Sequence, residues 1–343
     1  MTRDTMGSAT TVTMMTAAVA RRFGPPQVVA VERVPRPVPA HDEVLIRLRA
    51  STVSIADHRL RAKDLPRGLG LLAVVALGVF RPRHAILGMD GAGVIEAVGA
   101  DVTGFTPGDE VIVMQGPRMG CHAEYVTVKA NGCIAPKPAG MSFEDAAALV
   151  FGGYTAISFL DRVELGPGTD ILVNGASGAV GTAVVQLASQ AGARVTGVCS
   201  QGNADLVRSL GAHRVIDYAT EDFAAGDERY DVIVECVGNA PFSRSRRVMK
   251  PGAALLLVIS DLPGMLGERI QSRRSGKLVT HTGSMFGAPV MAEIVRHAEA
   301  GDLRPVVDRT YDLADIVEAH RYVDTGRKRG SVVVRIGGES AGD

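Results

Sequence analysis

Tryptophan is absent from this chain, and aromatic residues make up only 4% of it. A core so poor in rings must be filled by aliphatic and small side chains. Hydrophobic residues reach 46%, and there are 40 glycines in 343 residues. That composition suits a Val-, Ala- and Gly-rich α/β protein with many tight turns, long enough for two domains. Net charge is absent too, since 37 basic residues balance 37 acidic ones. The balance gives no ground for a nucleic-acid partner or an anionic membrane surface. The short cluster Arg327-Lys328-Arg329 reads as a solvated turn.

Paired cysteines are also lacking. Cys121, Cys133, Cys199 and Cys236 are scattered, with no C-x-x-C, so neither a zinc knuckle nor a redox dithiol is indicated. Cys199 and Cys236 fall in expected buried strands as core thiols, and a reduced, cytoplasmic setting is expected. No apolar run exceeds Gly68–Phe80, 13 residues between Arg67 and Arg81, which is too short to cross a bilayer. It is expected to form a buried or pocket-covering helix. Residues 1–14 are Thr-rich without an apolar centre, so they are neither a signal peptide nor an anchor. A disordered extension is expected there, with the fold starting near Met15.

What the chain does have is concentrated in Asp170-Ile-Leu-Val-Asn-Gly-Ala-Ser-Gly-Ala-Val-Gly181. An apolar strand runs into a glycine turn, then a helix through Gln190, then a second strand, Arg194–Cys199. That is a βαβ unit with small residues Ser177, Gly178, Ala179, Val180 and Gly181 at the helix start. Free N–H groups and the helix dipole favour a pyrophosphate there. Ala176 stands where the first glycine of a strict G-x-G-x-x-G would be, but the strand–turn–helix context is the one the motif requires. No acidic residue lies between Asp170 and Asp205. The acid that accepts from the ribose of NAD is therefore missing, and Ser200, Gln201 and Asn203 stand at the strand end. This favours NADPH over NADH, with Arg208 as a possible extra charge. Ser200 and Asn203 also read as caps for a helix beginning near Ala204.

Two rhythms divide the chain. From 15 to 140, short strands at 44–50, 93–98 and 110–114 alternate with turn signals, as in a small barrel. From 141 to 304, helices and strands alternate. Ser142 caps a helix, and strands at 170–174, 194–199, 214–217, 231–235 and 254–258 form a doubly wound sheet. A last strand, 332–336, returns to the barrel, so that about 305–340 complete it.

In order, Val53–Asp57, Gly88–Val94, Pro107–Val111, Ala123–Val126, Gly153–Ala156, Gly175–Gly181, Leu210–Tyr218, Tyr230–Val234 and Met249–Gly252 resemble the zinc-independent quinone oxidoreductase branch of the medium-chain dehydrogenase/reductase superfamily. The similarity spans about 15–336. It implies an α/β fold: a GroES-like β-barrel catalytic domain plus a doubly wound Rossmann domain. Zinc-dependent members carry Gly-His-Glu where this chain has Gly88-Met89-Asp90, and a cysteine where it has Ser54 to His58. Met89 and Ser54 cannot replace imidazole and thiolate, and His58, His84 and His122 lack ligand spacing, so no zinc is expected.

The resemblance implies hydride transfer from NADPH to a quinone or to the β-carbon of an enone, a small hydrophobic carbonyl acceptor. Ala179 and Val180 would offer N–H groups to the pyrophosphate. Ser200, Asn203 and Tyr218 match positions around the 2′-phosphate, and Asn203 stands where lysine is frequent. Thr155, Val237 and Val258 would flank the nicotinamide. Ser54, in place of a frequent asparagine, would orient the acceptor, and His58 would donate a proton. Relatives often form homodimers through the sheet edge near 254–258. Alternatives are an enoyl reductase acting on acyl thioesters, for which no basic docking surface stands out, and a cofactor-binding sensor or structural protein with little turnover.

Overall fold

The structure is a computed structural model that describes residues 12–70 and 77–337. Most of the expected N-terminal extension and residues 71–76 of the apolar run lie outside the described residues. Met14, assigned to that extension, instead opens a strand. β1 (Met14–Ala20) pairs antiparallel with β2 (Val29–Pro35). Then follow β3 (Glu43–Val53), α1 (Ile55–Ala62), β4 (Asp90–Val98), β5 (Glu110–Met114), β6 (Tyr125–Lys129) and β7 (Ile134–Pro136). Helix α2 (Phe143–Leu160) leads to β8 (Asp170–Asn174), α3 (Ala179–Gln190), β9 (Arg194–Cys199), α4 (Ala204–Ser209) and β10 (Arg214–Asp217). The chain continues through β11 (Tyr230–Glu235), α5 (Phe242–Ser245), β12 (Met249–Leu257), α6 (Leu262–Ser275) and β13 (Leu278–Thr280). It ends with α7 (Ala288–Glu299), β14 (Val307–Asp312), α8 (Ile316–Asp324) and β15 (Ser331–Arg335).

One sheet is parallel, in the order β10-β9-β8-β11-β12-β13. Its strands are near-continuous apolar runs because helices cover them on both faces. β12 lies between β11 and β13, so the sheet ends at β10 on one side and at β13 on the other, and β13 is the edge near 254–258. The other sheet runs β14-β15-β3-β4-β5-β7, with β6 beside β3. β3 meets β4 on one edge. Its other edge pairs first with β6 over Glu43–Arg47 and then with β15 over Ala50–Val53. That change of partner, with bulges at Leu45/Ile46 and Leu48/Ala50, bends the sheet.

Helix α2 joins the two sheets. Ser142 caps it by accepting from the Asp145 N–H at 3.0 Å. The helix is buried on all sides over Ala146–Val150 and again at Gly152, Gly153 and Ala156–Phe159, and it shares a core with Ala50, Ala92 and Ile112 of the bent sheet and Val173 of the parallel one. Small side chains bring the layers close. A Cβ on Gly152 would stand 2.3 Å from the Ala179 carbonyl oxygen.

Beneath the bent sheet lies a polar cluster with little internal satisfaction. His320, on the α8 face formed with Ile316, Ala319 and Val323, is fully buried, and neither ring nitrogen has a partner among the described residues. Its ring meets that of His122 edge-on at 5.7 Å. Burial first, then His122, Arg61 and His58, hold its pKa well below the ordinary histidine value. Asp90 shows the opposite case. Its carboxyl accepts from the Thr52 N–H and hydroxyl, yet burial and the nearby Asp57 raise its pKa to about 8.

The two shifts have opposite signs. An unfolded His320 binds a proton near its ordinary pKa of about 6.5 and the folded one resists it, so stability falls as pH drops below that value. We expect His320→Leu to flatten the decline of Tm between about pH 7 and pH 5. An unchanged slope in a melting series would refute this. Folded Asp90 holds its proton more tightly than the unfolded residue, so its contribution is full in acid and fades as pH rises through about 8. Asp90→Asn should therefore gain Tm relative to wild type between about pH 4 and pH 8 and no further above it, and a constant difference would contradict the assignment.

Candidate functional site

In the parallel sheet, β8 and β11 are neighbours, yet the chain leaves them in opposite directions. Such a switch point opens a crevice at the carboxyl ends of the strands. Gly175, at the end of β8, has φ +84°, a conformation that side-chain-bearing residues rarely adopt. Its N–H and that of Ala176 both reach the Val198 carbonyl, at 3.1 and 3.0 Å. Gly178 is the N-cap of α3 and supplies no side-chain cap. The first bond of that helix, Thr182 N–H to the Gly178 carbonyl, spans 2.8 Å, so the amides of Ala179, Val180 and Gly181 have no partner within it.

The two later glycines do different work. A Cβ on Gly181 would lie 2.1 Å from the Gly175 carbonyl oxygen, so its absence lets the helix seat on the turn. A Cβ on Gly178 would meet nothing nearer than that oxygen at 3.5 Å, which leaves this face open for another molecule. The turn is braced from outside. Gly330 pairs with Gly178, and its N–H donates to the Ser177 carbonyl at 2.8 Å. This geometry fits a dinucleotide pyrophosphate.

Around the turn, the proposed cofactor residues are placed as follows. Asn203 donates to the Ser177 hydroxyl at 3.0 Å, which ties the 200–203 turn to the glycine loop. Neither Ser200 nor Asn203 makes a side-chain cap bond, contrary to the capping expectation. Tyr218 is 66% exposed. Arg208 is held by Asp205 at 2.9 Å. Thr155, half-buried on α2, bonds back to the Phe151 carbonyl at 2.9 Å. Val237 stands beside the turn, since a Cβ on Gly175 would touch its Cγ2 at 2.9 Å. Val258 does not share its cleft. Leu257 and Ile259 line that space, whereas Val258 packs against the core that contains Val234 and Leu256.

Glu235 is the residue that sequence reasoning missed. Fully buried at the end of β11, it accepts from the N–H groups of Val237 and Gly238 at 2.5 and 2.7 Å, and from Asn174 at 2.7 Å. It shapes the loop that carries Val237. The signal was an acid closing an otherwise apolar strand, Val232-Ile-Val-Glu235. Beyond it opens a cleft of about 1160 Å³, bounded by Val237, Leu257, Ile259, the loop after α1, and α6.

Ser54 and His58 lie elsewhere. Ser54 is buried, its hydroxyl donates to Asp57 at 2.6 Å, and it accepts the Asp57 N–H in a capping box at the start of α1. Its proton is thus committed to a carboxylate rather than offered to an acceptor. His58 pairs with Asp324 at 2.7 Å, and Arg61 joins the same carboxylate, so the pair fastens α1 to α8. Neither lines the cleft, whereas Arg59 and Asp64 do. The donor set does not suit zinc. Ser54 is a cap, Met89 a buried thioether, Asp90 holds its proton, and His122 uses Nε2 on the Thr52 carbonyl at 2.9 Å. Among the described residues, no group of three or more His, Cys, Asp or Glu side chains has metal-binding geometry.

Comparison with known proteins places this geometry in a family. Residues 40–142 match the family described as "Alcohol dehydrogenase GroES-like domain", and residues 210–334 match "Zinc-binding dehydrogenase". The chain is 31% identical over 308 residues to 2-methylene-furan-3-one reductase of Solanum lycopersicum, covering 85% of this chain and 71% of that one. It is 31% identical over 319 residues to the chloroplastic quinone-oxidoreductase QR1 of Triphysaria versicolor, covering 88% and 92%. The solved quinone oxidoreductase of Coxiella burnetii superposes with a TM-score of 0.84 at 27% identity, covering 95% of this chain and all of that one. A bent sheet, a switch-point glycine cradle and these relatives together establish that the chain belongs to the medium-chain dehydrogenase/reductase superfamily, in its quinone oxidoreductase-like branch.

Proposed function

We propose that this protein is an NADPH-dependent, zinc-independent reductase of quinones or activated alkenes. The observation that carries the reading is the glycine turn at the switch point, closed at Gly181 and open at Gly178. Relatives named as a furanone reductase and a quinone oxidoreductase support the acceptor class. The bound nicotinamide would supply a hydride to a conjugated acceptor, whose oxygen takes up the negative charge.

The chain's part is to bind and orient. The amides of 179–181 hold the pyrophosphate, and Ser200, Asn203 and Tyr218 surround the 2′-phosphate without a competing carboxylate. Thr155 and Val237 flank the nicotinamide side, and the apolar wall of Val237, Leu257 and Ile259 keeps the acceptor flat against it. Solvent supplies the proton. Assembly as a homodimer through the open edge of β13 and a cytoplasmic setting belong to the same proposal. No described helix is long and apolar enough to cross a membrane.

NADPH oxidation, followed with chelator present against an ortho-quinone and an enone, tests the activity. Turnover insensitive to chelator is expected, and turnover that needs added zinc would sink the reading. Gly178→Val should leave Tm unchanged, because the space is open, yet weaken NADPH binding by about tenfold or more. Unaltered affinity would make the turn merely structural. Asn203→Asp places a carboxylate beside the 2′-phosphate, so the ratio of NADPH to NADH affinity should fall by roughly tenfold. An unchanged ratio would remove Asn203 from the phosphate site.

A further inference from the structure

The cleft beyond Val237 is lined by Arg59, Arg67, Arg246, Arg247 and Arg274. Among the described residues, none of these guanidiniums donates a hydrogen bond or meets a carboxylate. Arg244, two residues before Arg246 but outside the wall, is satisfied by Asp222 at 3.0 Å and lies over the Phe223 ring. The acids of the wall are already engaged. Glu235 holds the 236–239 loop, Asp261 caps α6 through the Gly264 N–H at 2.8 Å, and Asp64 faces His58 at 3.4 Å. Burial keeps the half-buried Arg59 below its ordinary pKa, against the opposing pull of Asp64.

Like charges gathered around a groove repel unless an anion joins them. Guanidinium forks match phosphate oxygens two at a time. The cleft, at about 1160 Å³, also exceeds the ~300–1,000 Å³ typical of small-ligand sites. Its lining combines apolar Val237, Leu257 and Ile259, of which Val237 stands against Gly175 of the turn, with those five arginines. An acceptor with a neutral reactive head, an arm and a polyanionic tail matches that mixed lining.

We propose that the cleft takes an α,β-unsaturated acyl thioester on a nucleotide carrier of the coenzyme A type, with its alkene against Val237 and Ile259 and its phosphates against Arg246, Arg247 and Arg274. The proposal rests on the reductase reading. Reduction forms one C–H bond at the β-carbon from the dinucleotide's hydride and one at the α-carbon from a solvent proton. The alkene π bond is lost, and the dinucleotide is oxidised by two electrons.

The test compares crotonyl-coenzyme A with the crotonyl thioester of N-acetylcysteamine, which has the same alkene and no phosphates, beside a simple enone. Wild-type kcat/KM for the coenzyme A ester is expected to be higher by about tenfold or more, mainly through KM. Arg246→Ala/Arg247→Ala/Arg274→Ala should bring the ratio toward one, while Arg273→Ala, outside the wall, keeps it. Calorimetry with coenzyme A alone should show a matching loss of affinity in the triple variant. Equal kcat/KM for the two thioesters in wild type overturns the proposal without any variant. So does a ratio unmoved by the triple substitution, or reduction of only a carrier-protein thioester. Arginine-dependent binding of coenzyme A without turnover of any acceptor, the enone included, would instead retain the site and reject the reductase reading.

Discussion

Backbone packed against backbone around residues 175–181 is the constraint on which the rest of the molecule depends. Gly152 of α2 lies against the Ala179 carbonyl, Gly181 against that of Gly175, and Gly330 against Ser177. Two elements from distant parts of the chain thus meet one turn, and at Gly152 and Gly181 the approach excludes a side chain. The contacts set how closely the bent sheet approaches the parallel one, and they hold the turn rigid while its outer face stays open. The phosphate site proposed for this turn works only if its amides cannot move.

Much of the fold was legible because periodicity and punctuation agreed. Buried strands such as Ile171–Asn174 and Val232–Glu235 are uninterrupted apolar runs ending in glycine or polar turns, and α2 carries its cap in Ser142. Helix α8 was readable but not read. Ile316, Ala319, His320 and Val323 mark one helical face, yet the buried histidine disguises the stripe. Helix α6 offered no such signal, since none of its residues is buried and its apolar positions follow no face.

The site divides the same way. The glycine turn is local in sequence, so its chemistry could be inferred from neighbours. Ser54 was a sound candidate by position, but Asp57, three residues on, gave it a capping partner, and a box of that spacing was visible in the text of the chain. The arginines were invisible for another reason. They are spread from position 59 to position 274 in a chain of zero net charge, and only the fold gathers them. Charge balance over a whole chain says nothing about charge balance along one wall.

That wall has a further consequence. Helix α6 is held by its ends and a few polar ties: Asp261 on the Gly264 amide, Gly276 in the left-handed region, Ser272 on Val279, and Glu268 with His281. No side chain between them is locked in the core. Substitutions along it therefore escape the penalties of cavity and overpacking that constrain buried positions. The boundary of that cleft can drift in shape and charge while the fold keeps its stability. New ligand preferences in this scaffold would arise most easily there, on a helix with no fully buried side chain.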